Sequence, residues 1–298
     1  MAGDDGTAAR HERTCVGFAV DEAYALPMAV AGRSLIDHHA GAEPLEIVVL
    51  DLGITAPTRA RVLASWPPGT RVRFVPLPRE NLDGLPLSDH EFVLHLNRNV
   101  YGRWFLPELL PAAYRRLIYL DADILVLRDL SPLWRIDLGG QPFAVAQDKG
   151  IPYVSSDLGV PDYRELGLPA RTKYFNAGVM VIDLDRWRTA RIRERALHYA
   201  RSHPDMRFAD QEALNAVSGG AWAELPPEWN CPVDEELLGP RHDAAPRIIH
   251  FLGPDKPWLT DVAWAPYCQA AYTTYLRRTA WAKELPALPV PRRRGGHQ

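Results

Sequence analysis

Short apolar runs alternate with helix-like segments from residue 15 onward, a pattern that predicts an α/β domain built on a largely parallel sheet. Strand-like runs fall at 15–20, 45–50, 71–76, 116–120, 143–146 and 177–182, and helical spacing covers 25–39, 100–110 and 185–202. Crossover helices between such strands produce a doubly wound sheet, whose ligands gather in the crevice beyond the carboxyl ends of the strands. Beyond Pro226 the chain becomes irregular and rich in Pro and Trp. The expected organisation is one main domain over 14–264, with a C-terminal helix and basic tail over 265–298.

Composition narrows the class without changing it. The 298 residues are 47% hydrophobic and 24% charged, an ordinary globular balance. A formal net charge of −3 gives no general attraction for nucleic acid, which is not an expected partner. The first fifteen residues carry Asp4, Asp5 and Glu12 rather than a basic start and an apolar run, so they do not read as a signal peptide. No run is apolar for long enough to span a bilayer. Cys15, Cys231 and Cys268 are too few and too scattered for a disulfide framework or a Cys-rich zinc site, and a reducing cytoplasm is the expected location. The run Pro291-Arg292-Arg293-Arg294 reads as a solvated tail, with weak peripheral membrane contact as the alternative.

Chemistry concentrates first in Tyr119-Leu120-Asp121-Ala122-Asp123-Ile124-Leu125-Val126, where two carboxylates interrupt an apolar stretch. Burying both without compensation is costly. In an extended segment, residues two apart point to the same side at roughly 6.5–7 Å between Cα atoms, so both carboxylates can approach one cation. A surface turn between strands is the plainer reading. A second feature is Ile248-Ile249-His250-Phe251-Leu252-Gly253-Pro254-Asp255-Lys256-Pro257-Trp258. There a histidine closes an apolar strand; alone, it reads as a satisfied core histidine. Imidazole with carboxylate and phosphate oxygens suits Mn²⁺, with Mg²⁺ as the alternative, better than Ca²⁺ or structural zinc. Gly253 permits close backbone approach to a diphosphate and Lys256 supplies a point charge.

Together with Phe18-Ala19-Val20-Asp21, Phe175-Asn176-Ala177-Gly178-Val179-Met180 and Asp210-Gln211-Glu212, these segments resemble family 8 glycosyltransferases. That group contains bacterial lipooligosaccharide galactosyltransferases, galactinol synthases and glycogenin. The resemblance covers about 15–264 and lies in the order and spacing of the motifs. It implies a GT-A, Rossmann-like nucleotide-sugar fold with an irregular C-terminal extension, a UDP-sugar donor, Mn²⁺ and hexose transfer with retention of configuration. Asp121, Asp123 and His250 match the metal ligands. Asp21 and Tyr24 fall where the family contacts uridine, Arg103 matches a basic residue near the donor, and Ala122 belongs to the same donor-contacting set. Asp148, Asn176 and Asp210 fall where donor-sugar hydroxyls are held, and Gln211 where a residue faces the anomeric carbon. Gly253 and Lys256 match the diphosphate clamp. Ala23 departs from the family, standing where relatives often carry Asn.

Plainer readings of these residues are a turn before a strand for Asn176 and Gly178, a helix cap for Asp210, and packing for most tryptophans, although Trp229, Trp258 and Trp264 fall on the expected acceptor side. The acceptor is expected to be a glycan, a lipid-linked sugar or a small natural product. Rival activities are a metal-dependent nucleotidyltransferase, a catalytically silent nucleotide-sugar binding protein and a self-glycosylating scaffold.

Overall fold

The structure, a computed structural model, describes residues 13–87, 97–233, 245–254, 256–258 and 266–284. Its first strands, β1 (Thr14–Val20), β2 (Leu45–Asp51), β3 (Arg71–Pro76) and β4 (Arg116–Leu120), match the predicted runs to within a residue. They pair in parallel in the order β3-β2-β1-β4. The nearly unbroken apolar character of β1, β2 and β4 is what a strand covered on both faces requires, whereas the edge strand β3 alternates Arg71 and Arg73 with Val72 and Phe74 and is only partly buried. After β5 (Ile124–Val126) come β6 (Phe143–Gln147), β7 (Phe175–Asp183) and β8 (Ala223–Glu224). The sheet continues from β4 as β7-β6-β8, with β7 antiparallel to both neighbours and β8 parallel to β6. The mostly parallel sheet expected from the sequence is therefore present, with one reversed strand. A small second sheet joins β5 antiparallel to β10 (Ile248–His250), and β10 in parallel to β9 (Cys231–Pro232).

Among the described residues the helices are α1 (Ala25–His38), α2 (Ala56–Ala64), α3 (Leu106–Leu109), α4 (Ser131–Trp134), α5 (Leu184–Thr189), α6 (Ile192–Ser202), α7 (Ala209–Ser218) and α8 (Pro266–Leu276). Strand alternation divides the core between the two faces of the large sheet. Phe18, Ile118, Leu120 and Val181 face α1, and Leu117, Tyr119 and Ile182 face the side where Trp104, Trp187 and Ala213 are buried. The first face also receives α8, whose Cys268, Tyr272 and Leu276 are buried in the same core as Met28 and Leu35 of α1. The expected boundary near 264 lies outside the described residues, as do the 291–294 tail and Trp264. No helix among the described residues is long and apolar enough to cross a membrane.

Two predicted helices differ from expectation. The stretch 100–110 forms a 3₁₀ helix at Arg98–Trp104 followed by α3. Three residues per turn brings Tyr101 and Trp104 onto one line; both are buried, with ring centroids 4.7 Å apart. The stretch 185–202 breaks into α5 and α6 at Arg191, which is left-handed with φ 53°. The break lets α5 seat Trp187 5.9 Å from Phe143 while α6 turns to pack on α7. Neither Gly nor Pro marks that position, so the helical pattern runs through it.

Candidate functional site

β1 and β4 run in parallel and end side by side, and their carboxyl ends open into a cleft lined by Asp21, Tyr24, Asn99, Arg103, Asp121 and Asp123. Asp21 follows β1 directly and is a hydrogen-bond hub. Its Oδ1 accepts from Tyr24 N at 3.1 Å, and its Oδ2 accepts the side-chain amides of Asn97 at 3.1 Å and Asn99 at 2.6 Å. Tyr24 meets Trp258 edge to face, with centroids 6.1 Å apart. Ala23 is exposed beside them.

Asp121 and Asp123 are not in one extended strand. They lie on the bend by which the chain leaves β4 in the large sheet and enters β5 in the small one. The bend is pinned from both sides, with Asp121 N donating to Gly178 O at 2.8 Å and Phe251 N donating to Asp123 O at 2.9 Å. β10 pairs its last residue, His250, with Ile124. This pairing brings His250 Nε2 to 3.3 Å from Asp123 Oδ1 and 3.8 Å from Asp121 Oδ2. Lys256, 4% exposed, puts Nζ 2.7 Å from Asp123 Oδ2 and 2.5 Å from Phe251 O. Burial pushes the Asp123 carboxyl up, but the Lys256 ammonium and His250 outweigh it and hold the group well below the usual carboxylate range.

The three side chains fit a divalent cation. One ligand atom from each of Asp121, Asp123 and His250 lies within 4.8 Å of the other two, and two carboxylates with an imidazole suit Mn²⁺ or Mg²⁺. The space is kept clear by Gly178, where a Cβ would stand 2.1 Å from His250 Cε1 and 2.9 Å from Asp121 Oδ2. Gly253 has φ +78°, a left-handed conformation suited to glycine, between the histidine and Lys256.

Arg103, 9% exposed, ties this cluster to the other half of the cleft. Its Nη2 lies 2.9 and 3.2 Å from the two oxygens of Asp121, its Nη1 donates to Ala177 O at 2.8 Å, and its Nε lies 2.8 Å from Asp210 Oδ2. The Nε–H itself is directed at Val100 O, 3.3 Å away, so Asp210 Oδ2 receives charge from Arg103 without a hydrogen bond and is otherwise unsatisfied. Burial raises the Asp210 carboxyl to about 6 in spite of Arg103. Desolvation works against the Arg103 charge, yet Asp121 and Asp210 raise its pKa well above the ordinary value.

Asp210 and Gln211 sit in the first turn of α7 rather than at its cap, after Ala209 at φ 41°. A left-handed alanine stores roughly 1–3 kcal/mol of strain. Asn215 fixes the helix, accepting from Phe175 N at 2.9 Å and donating to Phe175 O at 3.0 Å. Gln211 Oε1 then accepts from Ala177 N at 3.1 Å, and its Nε2 donates to Asp148 Oδ2 at 3.2 Å. Asp148 caps its own loop through Gly150 N and Ile151 N at 2.9 and 3.0 Å, and its Oδ2 also receives Asn176 Nδ2 at 3.4 Å. Asn176 and Gly178 lie inside β7, not in a turn before it.

A sequence model of glycosyl transferase family 8 matches residues 15–262. The chain belongs to that family. General stress protein A of Bacillus subtilis is 34% identical over 203 residues, 63% of this chain and 68% of that protein. The lipopolysaccharide 1,2-glucosyltransferase of Escherichia coli K12 is 30% identical over 201 residues, covering 64% of this chain and 57% of the relative. Among solved structures, galactosyltransferase LgtC in complex with donor and acceptor sugar analogs superposes with a TM-score of 0.77 at 27% identity, over 91% of this chain and all 100% of that one. The fold is the GT-A fold expected from the motifs, and the family 8 chain is an enzyme of the hexosyltransferase kind.

Among the described residues, the site residues singled out from the transferase's sequence lie at one cleft and its rim, except Trp229. That side chain is 4% exposed in the core under the Arg247 guanidinium, a packing role. Sequence reasoning missed Asn97 and Asn99 on Asp21, Asn215 behind Gln211, and Asn230. The last donates to Asn176 Oδ1 at 2.8 Å and meets His250 Nδ1 at 2.9 Å. An isolated asparagine in a Pro-rich stretch carries no periodic signal; its proximity to His250 appears only once β9 and β10 pair.

Proposed function

We propose that this transferase moves a hexose from a UDP-sugar to a hydroxyl of a glycan acceptor, with retention of anomeric configuration, using Mn²⁺ held by Asp121, Asp123 and His250. The observation that carries the reading is the convergence of those three groups within 4.8 Å, between the cleft of Asp21 and Tyr24 and the cluster of Asp148, Asn176 and Gln211. The E. coli relative, a glucosyltransferase, and the galactosyltransferase neighbour support hexose as the transferred group.

Asp21 and Tyr24 take the nucleoside in this reading, with Asn97 and Asn99 orienting the Asp21 carboxylate. When bound, the cation supplies Lewis-acid stabilisation of charge on the departing diphosphate, an effect worth several kcal/mol. Lys256 adds a second positive charge at the same place, and Gly253 lets the backbone approach closely. Asp148, Asn176 and Asp210 orient the sugar, where a misplacement of ~1 Å can cost ~100-fold in rate. Gln211 is a poor nucleophile by chemistry, and its Oε1 is already committed to Ala177 N–H. This supports attack on the same face as the leaving diphosphate, with a leaving-group oxygen taking the acceptor proton, over a glycosyl adduct on Gln211.

The test is a panel of UDP-sugars with Mn²⁺, following UDP release with and without candidate acceptors. One donor is expected to be turned over, faster with acceptor. Thermal stabilisation by donors without UDP release from any of them would replace the reading with a binding protein. A trapped glycosyl–Gln211 adduct would overturn same-face attack.

A further inference from the structure

Asn230 joins the two halves of the cleft. It is 7% exposed and is set by the 3₁₀ turn Pro227–Trp229, its own N–H donating to Pro227 O at 3.1 Å. It directly precedes β9, which lies alongside β10 and His250. Its amide touches the histidine on one side and Asn176 on the other.

A backbone group decides which atom faces which. Gly178 N–H donates to the Asn176 side chain at 3.0 Å, so the accepting atom there is the oxygen Oδ1. The same oxygen lies 2.8 Å from Asn230, which therefore presents its NH₂ to it. That leaves Asn230 Oδ1 facing His250 Nδ1 at 2.9 Å. An amide oxygen only accepts, so Nδ1 carries a proton, the arrangement in which Nε2 is the ring atom left to ligate a cation. Nε2 is the atom directed at Asp121 and Asp123. Gly178 N–H lies on the β4 side of β7, where Gly178 O accepts from Asp121 N, and is available because the β4–β7 ladder ends at Leu120 and Val179. On the other edge β7 bulges against β6, where Val145 pairs with Met180 but Ala146 with Asn176, and the Ala177 N–H between them goes to Gln211, as at bulges beside functional sites.

We infer that Asn230 is a positioning residue that holds His250 in its metal-ligating tautomer and simultaneously fixes the Asn176 amide on the sugar side. The inference rests on the reading of Asp121, Asp123 and His250 as a cation site. Both tasks need an acceptor and a donor on one short side chain. Aspartate keeps the acceptor toward His250 but puts a second oxygen against Asn176 Oδ1, and alanine removes both contacts. Partners of this kind to metal-binding histidines change metal affinity by about 10–100-fold when removed.

The experiment compares the wild-type chain with Asn230→Ala and Asn230→Asp at pH 8 by three readouts. These are Mn²⁺ affinity without donor by electron paramagnetic resonance titration, the His250 tautomer in metal-free protein by ¹⁵N NMR, and UDP-sugar kinetics. Asn230→Ala should bind Mn²⁺ about 10–100-fold more weakly and lose the single Nδ1–H tautomer. Asn230→Asp should keep that tautomer and hold Mn²⁺ affinity within about threefold of wild type, while its kcat/KM for donor falls at least about tenfold. Wild-type Mn²⁺ affinity in Asn230→Ala, or equal loss of metal in both variants, would overturn the inference. If Asn230→Ala does not fold, the split between metal affinity and kcat/KM in Asn230→Asp decides. Should the wild-type chain bind no Mn²⁺, the proposed cation site fails, and the tautomer in wild type and variants still tells whether Asn230 orients the ring.

Discussion

Asp123 and Asp210 belong to the same cleft, with side chains only 13% and 5% exposed, and their surroundings push them in opposite directions. Asp123 has Lys256 and His250 within 3.3 Å, and these outweigh burial and hold it ionised. Asp210 shares its one guanidinium with Asp121, and burial wins, taking it to about 6. The difference lies in the number of dedicated cations rather than in depth. The half proposed to hold the cation is charged and compensated, whereas the half proposed to face the sugar is held by amides and carries carboxylates that burial disfavours.

The largest test of this contrast is Asp123→Ala. Loss of one of the three proposed ligands should lower Mn²⁺-dependent UDP release by about 1000-fold or more, equivalent to about 4 kcal/mol of transition-state stabilisation. A second effect follows from compensation. Lys256, 4% exposed, loses its carboxylate, and breaking a buried pair from one side costs about 3–5 kcal/mol. Urea unfolding should show that loss, and the double variant Asp123→Ala/Lys256→Met should regain most of it without regaining activity. Wild-type turnover in Asp123→Ala would remove Asp123 from the cation site.

A smaller effect comes from packing. Gly178→Ala places a Cβ 2.1 Å from His250 Cε1 and 2.7 Å from its Nδ1, so the imidazole or β7 must move. Mn²⁺ affinity measured by the same resonance titration should fall about 10–100-fold. At the sugar-side end, Gly150→Ala meets nothing nearer than Asp148 Oδ1 at 3.5 Å, an ordinary contact, and should leave Mn²⁺ affinity at the wild-type value. Equal loss in both would mean that glycine at 178 serves the strand rather than the histidine.

The same contrast explains what was legible in the sequence. The strands were readable because buried parallel strands are continuous apolar runs, and Asp121 and Asp123 stood out as charges interrupting one. His250 is marked locally only as a histidine closing an apolar strand, which a core histidine also explains, and Gln211 is marked by motif order alone. Asn230 and Asn215 were not readable, because each acts across 20 or more residues through contacts that exist only after strands pair and α7 docks. The left-handed Arg191 and Ala209 were invisible for a related reason: tertiary packing imposes both, and neither residue type announces a turn. The pairing of Lys256 with Asp123 was likewise missed, since a motif shows which residues recur but not which of them compensates the other.

The smallest predicted effect sharpens the sugar-side half of the comparison. Glu212, next to Gln211 in α7 and 1% exposed, accepts from Arg207 N at 2.8 Å, and burial raises its carboxyl to about 7. A carboxyl whose pKa is raised on folding binds its proton more tightly in the folded state. Its contribution to stability is therefore fully present below the unfolded pKa, near 4.5, and is lost as pH rises through about 7. Glutamine mimics the protonated form and keeps an oxygen for Arg207 N. Glu212→Gln should therefore be more stable than wild type at pH 8 by on the order of 2 kcal/mol, with the advantage gone by about pH 4.5. Chemical denaturation of both proteins across that range reads the difference directly. A pH-independent gap would mean that Glu212 is compensated as Asp123 is, and the contrast between the two halves would then not extend beyond Asp210.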